Sequence, residues 1–141
     1  MDYMIDTHTD AEIKTILEKY RRVCVVGASH TPGKAANEVP LYLIDKGYEI
    51  IPVNPTVPSV FGIKAYKSVG EVDKMFDILD VFRPSDEVYG IIKQAIDKKP
   101  RVIWMQEGIY NKEAKEISES EGITVIYNRC MMKEHIRLFG S

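Results

Sequence analysis

The 141-residue chain is 45% hydrophobic and is therefore the size of one domain that buries a substantial core. Its 19 Lys and Arg residues nearly balance its 21 Asp and Glu residues, and the resulting net charge of -2 excludes a global basic surface for nucleic acid or anionic lipid. No apolar run approaches the roughly 20 residues that cross a bilayer, and the N-terminus is too polar and acidic for a signal peptide. We therefore expect a single cytoplasmic domain over residues 1–141, with no nucleic acid or membrane as a partner.

The first predicted element is a helix that begins after Thr9. Glu12 follows three residues later, which is the spacing of a capping box, where each side chain accepts a hydrogen bond from the other residue's backbone N–H. Ile13, Ile16 and Leu17 then recur at helical spacing, so one face of this helix should be buried.

Five short apolar runs follow, about 25 residues apart. They are rich in β-branched and aromatic residues and show almost no strict alternation of polar and apolar positions, which is typical of strands buried on both faces of a parallel sheet. The runs occupy residues 22–26, 49–53, 77–82, 101–105 and 124–127.

Segments with helical periodicity separate these runs. Pro40 interrupts the segment after the first run, and we expect it to be tolerated only if the helix begins near Asn37 or kinks at the proline. A later helix should open at Pro84, and another should span residues 111–121. Strands that alternate with helices in this way predict an α/β fold with a doubly wound, five-stranded parallel sheet and helices on both faces.

In such a sheet, ligands bind beyond the carboxyl ends of the strands, where the strand order reverses. The first of these ends reads GASHTPGKAAN, residues 27–37. Five residues separate Gly27 from the Gly33-Lys34 pair and Ala35 follows, so the spacing and the hydroxyl of a P-loop are missing. The second and third features of a dinucleotide fingerprint are also missing, since Ala28-Ser29 replaces the second glycine and the second strand closes with Asn54 instead of an acidic residue.

Small residues before a helix still let backbone amides approach an anion, and the Ser29 hydroxyl and the Lys34 ammonium could add to such a site. The alternative is a tight strand-to-helix turn that binds nothing. The other strand ends favour a ligand site, because each of them is followed by polar residues. Arg83, for example, directly precedes the predicted N-terminus of a helix.

The motifs at these strand ends resemble those of a known family. They are VVGAS followed by Pro32 and Lys34, then GYEIIPVNP, DVFRPSD, WMQEGI and YNRCMMKEH, and together they span about residues 10 to 139. The chain resembles the small Rossmann-like CoA-binding proteins typified by the CoA-binding domain of the succinyl-CoA synthetase alpha subunit. The resemblance concerns the nucleotide-binding domain alone, so it implies no synthetase activity.

The resemblance implies a site for coenzyme A (CoA) or acyl-CoA. Backbone amides after the first strand would bind the diphosphate, with nearby side chains meeting a phosphate; the corner after the second strand would hold the adenosine half; and the ends of the fourth and fifth strands would border the pantetheine arm. The implied binding residues are Gly27, Ala28, Ser29, His30, Lys34, Asn54, Pro55, Val81, Phe82, Arg83, Gln106, Glu107, Gly108, Asn128, Arg129 and Cys130. Among them, the Glu107 carboxylate should repel the anionic ligand unless it bonds to the neutral arm or to a loop amide.

The two cysteines give the main alternative to simple binding. Cys24 lies in an apolar run and should be inert, whereas Cys130 lies between Arg129 and Lys133, whose charges should lower the pKa of its thiol. The preferred hypothesis is a binding module without catalysis. The alternatives are an enzyme that performs thiol–disulfide exchange or acyl transfer through Cys130, a less favoured NAD(P)-binding protein, and a phosphoacceptor or protein-interaction domain; the sequence leaves open whether the chain forms a homo-oligomer.

Overall fold

Strands and helices alternate along residues 5–140, which are the residues described by this computed structural model. The predicted domain also includes residues 1–4 and Ser141, which lie outside the described residues. The helices are α1 (Asp10–Lys19), α2 (Ala35–Asp45), α3 (Val88–Ala95), α4 (Lys112–Ser120) and α5 (Met131–Phe139). The strands are β1 (Arg22–Val26), β2 (Glu49–Val53), β3 (Ser59–Val60), β4 (Ile63–Lys64), β5 (Ile78–Val81), β6 (Val102–Met105) and β7 (Thr124–Ile126).

Five of the strands form one parallel sheet in the order β2-β1-β5-β6-β7. This confirms the predicted five-stranded parallel sheet of an α/β fold. The chain moves outward from β1 to β2 and then crosses to β5 on the other side of β1, so the strand order reverses between β1 and β5. Val26 at the end of β1 is level with Val53 of β2 and Val81 of β5, which brings the carboxyl ends of these three strands to one edge.

The sheet is buried on both faces, as the apolar runs predicted. Successive residues of β1 enter two different cores, with Val23 and Val25 on one side and Cys24 and Val26 on the other. The first core is covered by α1, α2 and α5, and the second by α3 and α4. Within the described residues, no helix is long and apolar enough to cross a membrane.

The local predictions hold at α1 and need correction between β2 and β5. The Thr9 Oγ1 atom accepts the Glu12 N–H at 3.1 Å and the Glu12 carboxylate accepts the Thr9 N–H at 2.8 Å, so the capping box is confirmed. After β2, however, the chain forms the antiparallel β3–β4 pair, which the sequence did not reveal because each strand has only two residues.

Pro40 lies inside α2, which begins at Ala35 and not near Asn37. Proline has no amide hydrogen, so the carbonyl of Ala36, one turn earlier, loses its usual helical partner. That carbonyl accepts the N–H of Ser29 at 3.1 Å. The proline therefore provides an acceptor that ties the loop after β1 to the helix that follows it.

Candidate functional site

The first cleft lies beyond the carboxyl ends of β1, β2 and β5 and has a volume of about 460 Å³. Its walls come from the loop after β1, the corner after β2, the segment after β4, and the chain from the end of β5 into α3. It contains seven of the predicted binding residues: Gly27, Ala28, Ser29, Lys34, Asn54, Pro55 and Arg83. The place where the strand order reverses is therefore an open cleft.

Gly27 directly follows β1 and lies against Phe82, the residue that directly follows β5. Its φ of +87° is in the left-handed region, and a Cβ atom built on it would lie 2.8 Å from the carbonyl oxygen of Phe82. Any larger residue would collide with this backbone atom, which cannot move aside as a flexible side chain can. Glycine is thus required here for the close approach of two strands.

The amides of this loop are used differently from the prediction. The Gly27 N–H donates to the Val53 carbonyl at 3.1 Å and the Ser29 N–H donates to the Ala36 carbonyl, so these two amides, which the sequence assigned to a diphosphate, already have acceptors inside the protein. The amides of Ala28, Ala35 and Ala36 have no protein acceptor among residues 5–140, and no side chain caps the start of α2. The donors available to an anion therefore belong to Ala28 and the first turn of α2.

Asn54 holds the corner after β2 in shape. Its Nδ2 atom donates to the Ala28 carbonyl at 2.9 Å, and its Oδ1 atom accepts the N–H and the hydroxyl of Thr56, each at 2.8 Å. The side chain thus joins the loop after β1 to the corner that carries Pro55, as asparagine commonly does in turns.

The cations of the first cleft differ in their partners. Arg83 makes a two-pronged ion pair with Glu87, in which Nε and Nη2 lie 3.0 and 2.9 Å from the carboxylate oxygens. This hydrogen bonding raises the pKa of the Arg83 guanidinium, which stays charged. Lys34 and Lys67 also line the cleft, and neither has a carboxylate partner in the described part of the chain.

The sequence analysis missed several residues that line the first cleft. Residues that it did not identify include Thr56, Lys67, Ser68, Ile91 and Gln94. An isolated bridge between Val53 and Tyr66 brings Lys67 and Ser68 to the outer side of β2. No local pattern marks this pairing, since the two bridged residues are separated by the β3–β4 ribbon.

A second cleft, of about 350 Å³, lies beyond the ends of β6 and β7 and contains Glu107, Asn128, Arg129 and Cys130 of the predicted set. The Glu107 carboxylate is bound by the Lys133 ammonium, at 2.9 and 3.2 Å. Its charge is therefore compensated by a cation, a partner that the sequence did not suggest.

Arg129 belongs to a network of charges that joins the two ends of the described chain. Its Nη1 atom donates to Glu134 at 2.6 Å, and its Nη2 atom donates to the Asp6 carboxylate and carbonyl and to the His8 carbonyl. Burial acts to raise the pKa of the Glu134 carboxyl, but its bonds to Arg137 and Arg129 outweigh burial and hold the pKa below its usual range. Arg129 therefore fixes the segment before α1 onto α5, and its donors are largely used inside the protein.

Beneath the two clefts, Gln106 connects β5 to the start of α5. Its Nε2 atom donates to the carboxylate of Asp80, and its Oε1 atom accepts the Met131 N–H at 3.4 Å. Asp80 is fully buried, and its second oxygen has no hydrogen-bond partner among the described residues. Burial raises the pKa of the Asp80 carboxyl to about 7 although the bond from Gln106 opposes the shift.

Five of the sixteen predicted residues line neither cleft: His30, Val81, Phe82, Gln106 and Gly108. Val81 is completely buried in the core on the α3 and α4 side, and His30 is exposed. Gly108 instead donates its N–H to the Asn128 side chain at 2.7 Å, which links the loops after β6 and β7.

The pKa of the Cys130 thiol shifts in the opposite direction from the one that the sequence predicted. Burial raises the pKa of its thiol, and the backbone hydrogen bonds from Lys133 and Met132 only partly offset this effect. The expected lowering by Arg129 and Lys133 is wrong, because both cations are engaged by carboxylates. Cys24 is buried as predicted, and burial raises the pKa of its thiol to about 12.

We expect both thiols to react slowly in the native protein. With iodoacetamide at pH 8, Cys130 should be alkylated at least roughly tenfold more slowly in the folded chain than in guanidinium chloride, because burial disfavours the reactive thiolate. Intact mass spectrometry of the Cys24→Ser variant measures Cys130 alone. Equal rates in the folded and unfolded chains would contradict the burial of this thiol.

Comparison with known proteins places these clefts in context. A family described as a CoA binding domain matches residues 21–136. The chain is 40% identical over 125 residues to the uncharacterized protein YneT of Bacillus subtilis, a match that covers 89% of this chain and 93% of that protein. A hypothetical protein from Pyrococcus horikoshii has a similar structure, with a TM-score of 0.93, 40% identity and 96% of each chain covered.

A longer relative also matches. The chain is 33% identical over 139 residues to an ADP-forming acetate–CoA ligase of Methanocaldococcus jannaschii. The match covers 92% of this chain but only 20% of the ligase.

Proposed function

Because this chain belongs to the CoA binding domain family, we propose that it binds coenzyme A or an acyl-CoA at the carboxyl ends of its parallel strands and catalyses no reaction of its own. The membership confirms the family that the sequence motifs predicted. Acetate–CoA ligase activity is not carried over, since the chain matches a fifth of that enzyme.

The observation that carries the proposal is the concentration of anion-binding groups in the first cleft. Lys34, Lys67 and Arg83 line it, the uncapped start of α2 adjoins it, and Glu87 is the one carboxylate among its described lining residues. The whole chain, in contrast, has a net charge of -2. Because CoA carries about four negative charges at neutral pH, it suits this cleft far better than the average surface of the protein.

The positions of the two clefts suggest how CoA would lie. The diphosphate would be placed at Ala28 and the start of α2, where free amides and the helix dipole favour negative charge. The adenosine would lie over the end of β2, and the pantetheine arm would extend across the ends of β5 and β6 toward the second cleft. Glu107 is compatible with this path of the pantetheine arm because the Lys133 ammonium compensates the charge of its carboxylate.

The surroundings of Cys130 favour binding over thiol chemistry. A catalytic thiol needs a base that removes its proton or a cation that stabilises the thiolate. No histidine is found among the described residues that line the second cleft, and burial raises the pKa of the Cys130 thiol. NAD(P) is also disfavoured, because Asn54 stands where those folds place an acid for the ribose and its Oδ1 atom already accepts two bonds from Thr56.

Ligand-induced stabilisation tests this function. At a concentration one hundred times its dissociation constant, CoA should increase the free energy of unfolding by roughly 2.7 kcal/mol. NADH and ATP at the same concentration should stabilise the protein much less, since the cleft lacks their characteristic contacts. Urea unfolding with and without each nucleotide gives the comparison.

Pantetheine is the matched control for this experiment, because it has the neutral arm and thiol of CoA but no phosphate. It should give little stabilisation if the first cleft binds the anionic half. Equal stabilisation by CoA, NADH and ATP would show a general nucleotide site, and no stabilisation by CoA would refute the proposed function.

A further inference from the structure

Among residues 5–140, the two lysines of the first cleft have no carboxylate partner, and they come from different segments that line it. Lys34 and Lys67 both line the cleft, whereas the third cation, Arg83, is held by Glu87 in a two-pronged ion pair. CoA likewise has two separate groups of negative charge, the diphosphate and the 3'-phosphate of its ribose. The arrangement of the lysines indicates which of them meets which group.

Lys34 belongs to the diphosphate side of the cleft. It is the N-cap residue of α2, directly before the Ala35 and Ala36 amides that have no protein acceptor in residues 5–140. The helix begins after the loop that closes β1, at the reversal of strand order where α/β folds place a diphosphate. A phosphate bound by these amides therefore lies next to the Lys34 stem.

Lys67 lies on the opposite side, beyond the outer strand β2. The preceding residue, Tyr66, is held there by two backbone hydrogen bonds: its N–H donates to the Pro52 carbonyl at 3.0 Å and its carbonyl accepts the Asn54 N–H at 2.8 Å. These bonds fix the backbone next to Lys67 against the end of the strand that carries the adenosine side of nucleotide-binding sheets.

The end of β2 suits a phosphorylated ribose. In dinucleotide-binding folds an acid at this position binds free ribose hydroxyls, while a nearby cation accommodates a phosphate on the ribose. Here Asn54 replaces the acid and is engaged by Ala28 and Thr56, so no carboxylate at this position repels a phosphate.

One neutral donor supports Lys67 from the same wall. The Ser68 hydroxyl, next to Lys67, donates to the Glu71 carboxylate at 3.4 Å, whereas Gln94 of α3 faces the same segment and its Oε1 atom accepts the Gly70 N–H at 3.3 Å. With Oε1 used in this way, the amide Nε2 of Gln94 remains a donor. Lys67 can therefore give a phosphate monoester a charge-assisted hydrogen bond, and the Gln94 amide can add a neutral one.

We propose that Lys67 is the residue that recognises the 3'-phosphate of CoA, and that it makes the protein select CoA over dephospho-CoA. This inference rests on the proposed CoA binding and assigns one part of that site. The sequence suggested Lys34 as a cation for the anionic ligand, whereas this assignment gives the 3'-phosphate to a residue 33 positions later in the chain.

The test is the ratio of the dissociation constants of dephospho-CoA and CoA, measured by calorimetry on the native chain and on Lys67→Met. Methionine keeps the length and apolar character of the lysine stem but removes its charge. The native ratio should be roughly ten or more, as one lost charge-assisted contact predicts, and the variant should bring it close to one. The affinity for dephospho-CoA itself should change little.

Two matched variants complete the design. Lys34→Met should weaken both ligands by a similar factor and leave the ratio near its native value, because both ligands contain the diphosphate. Lys74→Met removes an exposed lysine that does not line the cleft and should change neither affinity. Circular dichroism and thermal melting of each variant show whether the fold is retained.

The outcomes separate this inference from the proposed function. If the native chain binds CoA but Lys67→Met keeps the native ratio, or if Lys34→Met is the variant that removes the preference, the assignment of Lys67 is wrong while CoA binding stands. If neither CoA nor dephospho-CoA binds the native chain, the proposed function fails and the assignment fails with it. A further check is competition, in which adenosine 3',5'-bisphosphate should displace CoA better than ADP does only when Lys67 is present.

Discussion

Replacing Ser29 by aspartate should weaken CoA binding by roughly 100-fold or more, because like charges in close contact cost several kcal/mol. Ser29 lines the first cleft in the loop that would face the diphosphate, so the new carboxylate would oppose the phosphate charge. The fold should be retained, since the Ser29 Oγ atom accepts the Thr31 N–H at 3.0 Å and an aspartate oxygen accepts the same bond. Calorimetric titration with CoA measures the loss.

Ser29→Asn is the control for this experiment. Asparagine has nearly the same shape as aspartate and can accept the same bond from Thr31, but it carries no charge. The affinity of the Ser29→Asn variant for CoA should therefore fall only a few-fold. A similar loss in both variants would point to the shape of the loop and not to its charge, and unchanged binding in Ser29→Asp would remove this loop from the site.

Replacing Asp80 by asparagine should stabilise the protein in neutral and mildly alkaline solution. Burial raises the pKa of Asp80 from 3.8 to about 7, so between these values the native chain holds a proton that the unfolded chain has released. Stability is then lost as the pH rises toward the native pKa, by about 1.4 kcal/mol for each pH unit. Asparagine does not titrate, and its Oδ1 atom can still accept the bond from Gln106.

The expected result is a pH-dependent difference between the two chains. Urea unfolding should show the advantage of Asp80→Asn growing by about 2–3 kcal/mol between pH 5 and pH 8. The Asp6, His8 and Glu134 network titrates in both chains and cancels in this difference. Asp97→Asn, which replaces an exposed carboxylate, should show no such trend, and a constant difference for Asp80→Asn would mean that Asp80 is ionised in the native protein.

The large elements of the fold could be predicted because their signals are local. The run of residues 22–26 and that of 49–53 match β1 and β2 at both ends, since strands buried on two faces need uninterrupted apolar side chains. The Thr9 capping box is local as well, because both of its partners lie within one turn of helix. The other three strands are one or two residues shorter than their apolar runs. A residue belongs to a strand only where it pairs with a neighbouring strand, and the apolar pattern does not show where that pairing stops.

The candidate site could be predicted only in outline. Placing residues at the carboxyl ends of strands follows from the α/β rule, and it located Ser29, Lys34 and Arg83 in the first cleft. It could not show that Gln106 faces a buried Asp80, or that Arg129 is engaged by Asp6, because those partners are 26 and 123 residues away.

The sequence by itself determined that the chain forms a parallel α/β sheet with polar residues at its carboxyl edge, because apolar periodicity and helix caps depend on neighbours within a few residues. Only the tertiary structure decided which side chains share a cleft. It brought Lys67 to the end of β2 through the Val53–Tyr66 bridge, divided eleven of the sixteen predicted residues between two clefts and buried Cys130. These features depend on the order of the strands and on the packing of helices over them, and both are set by burial across the whole chain and not by any one segment.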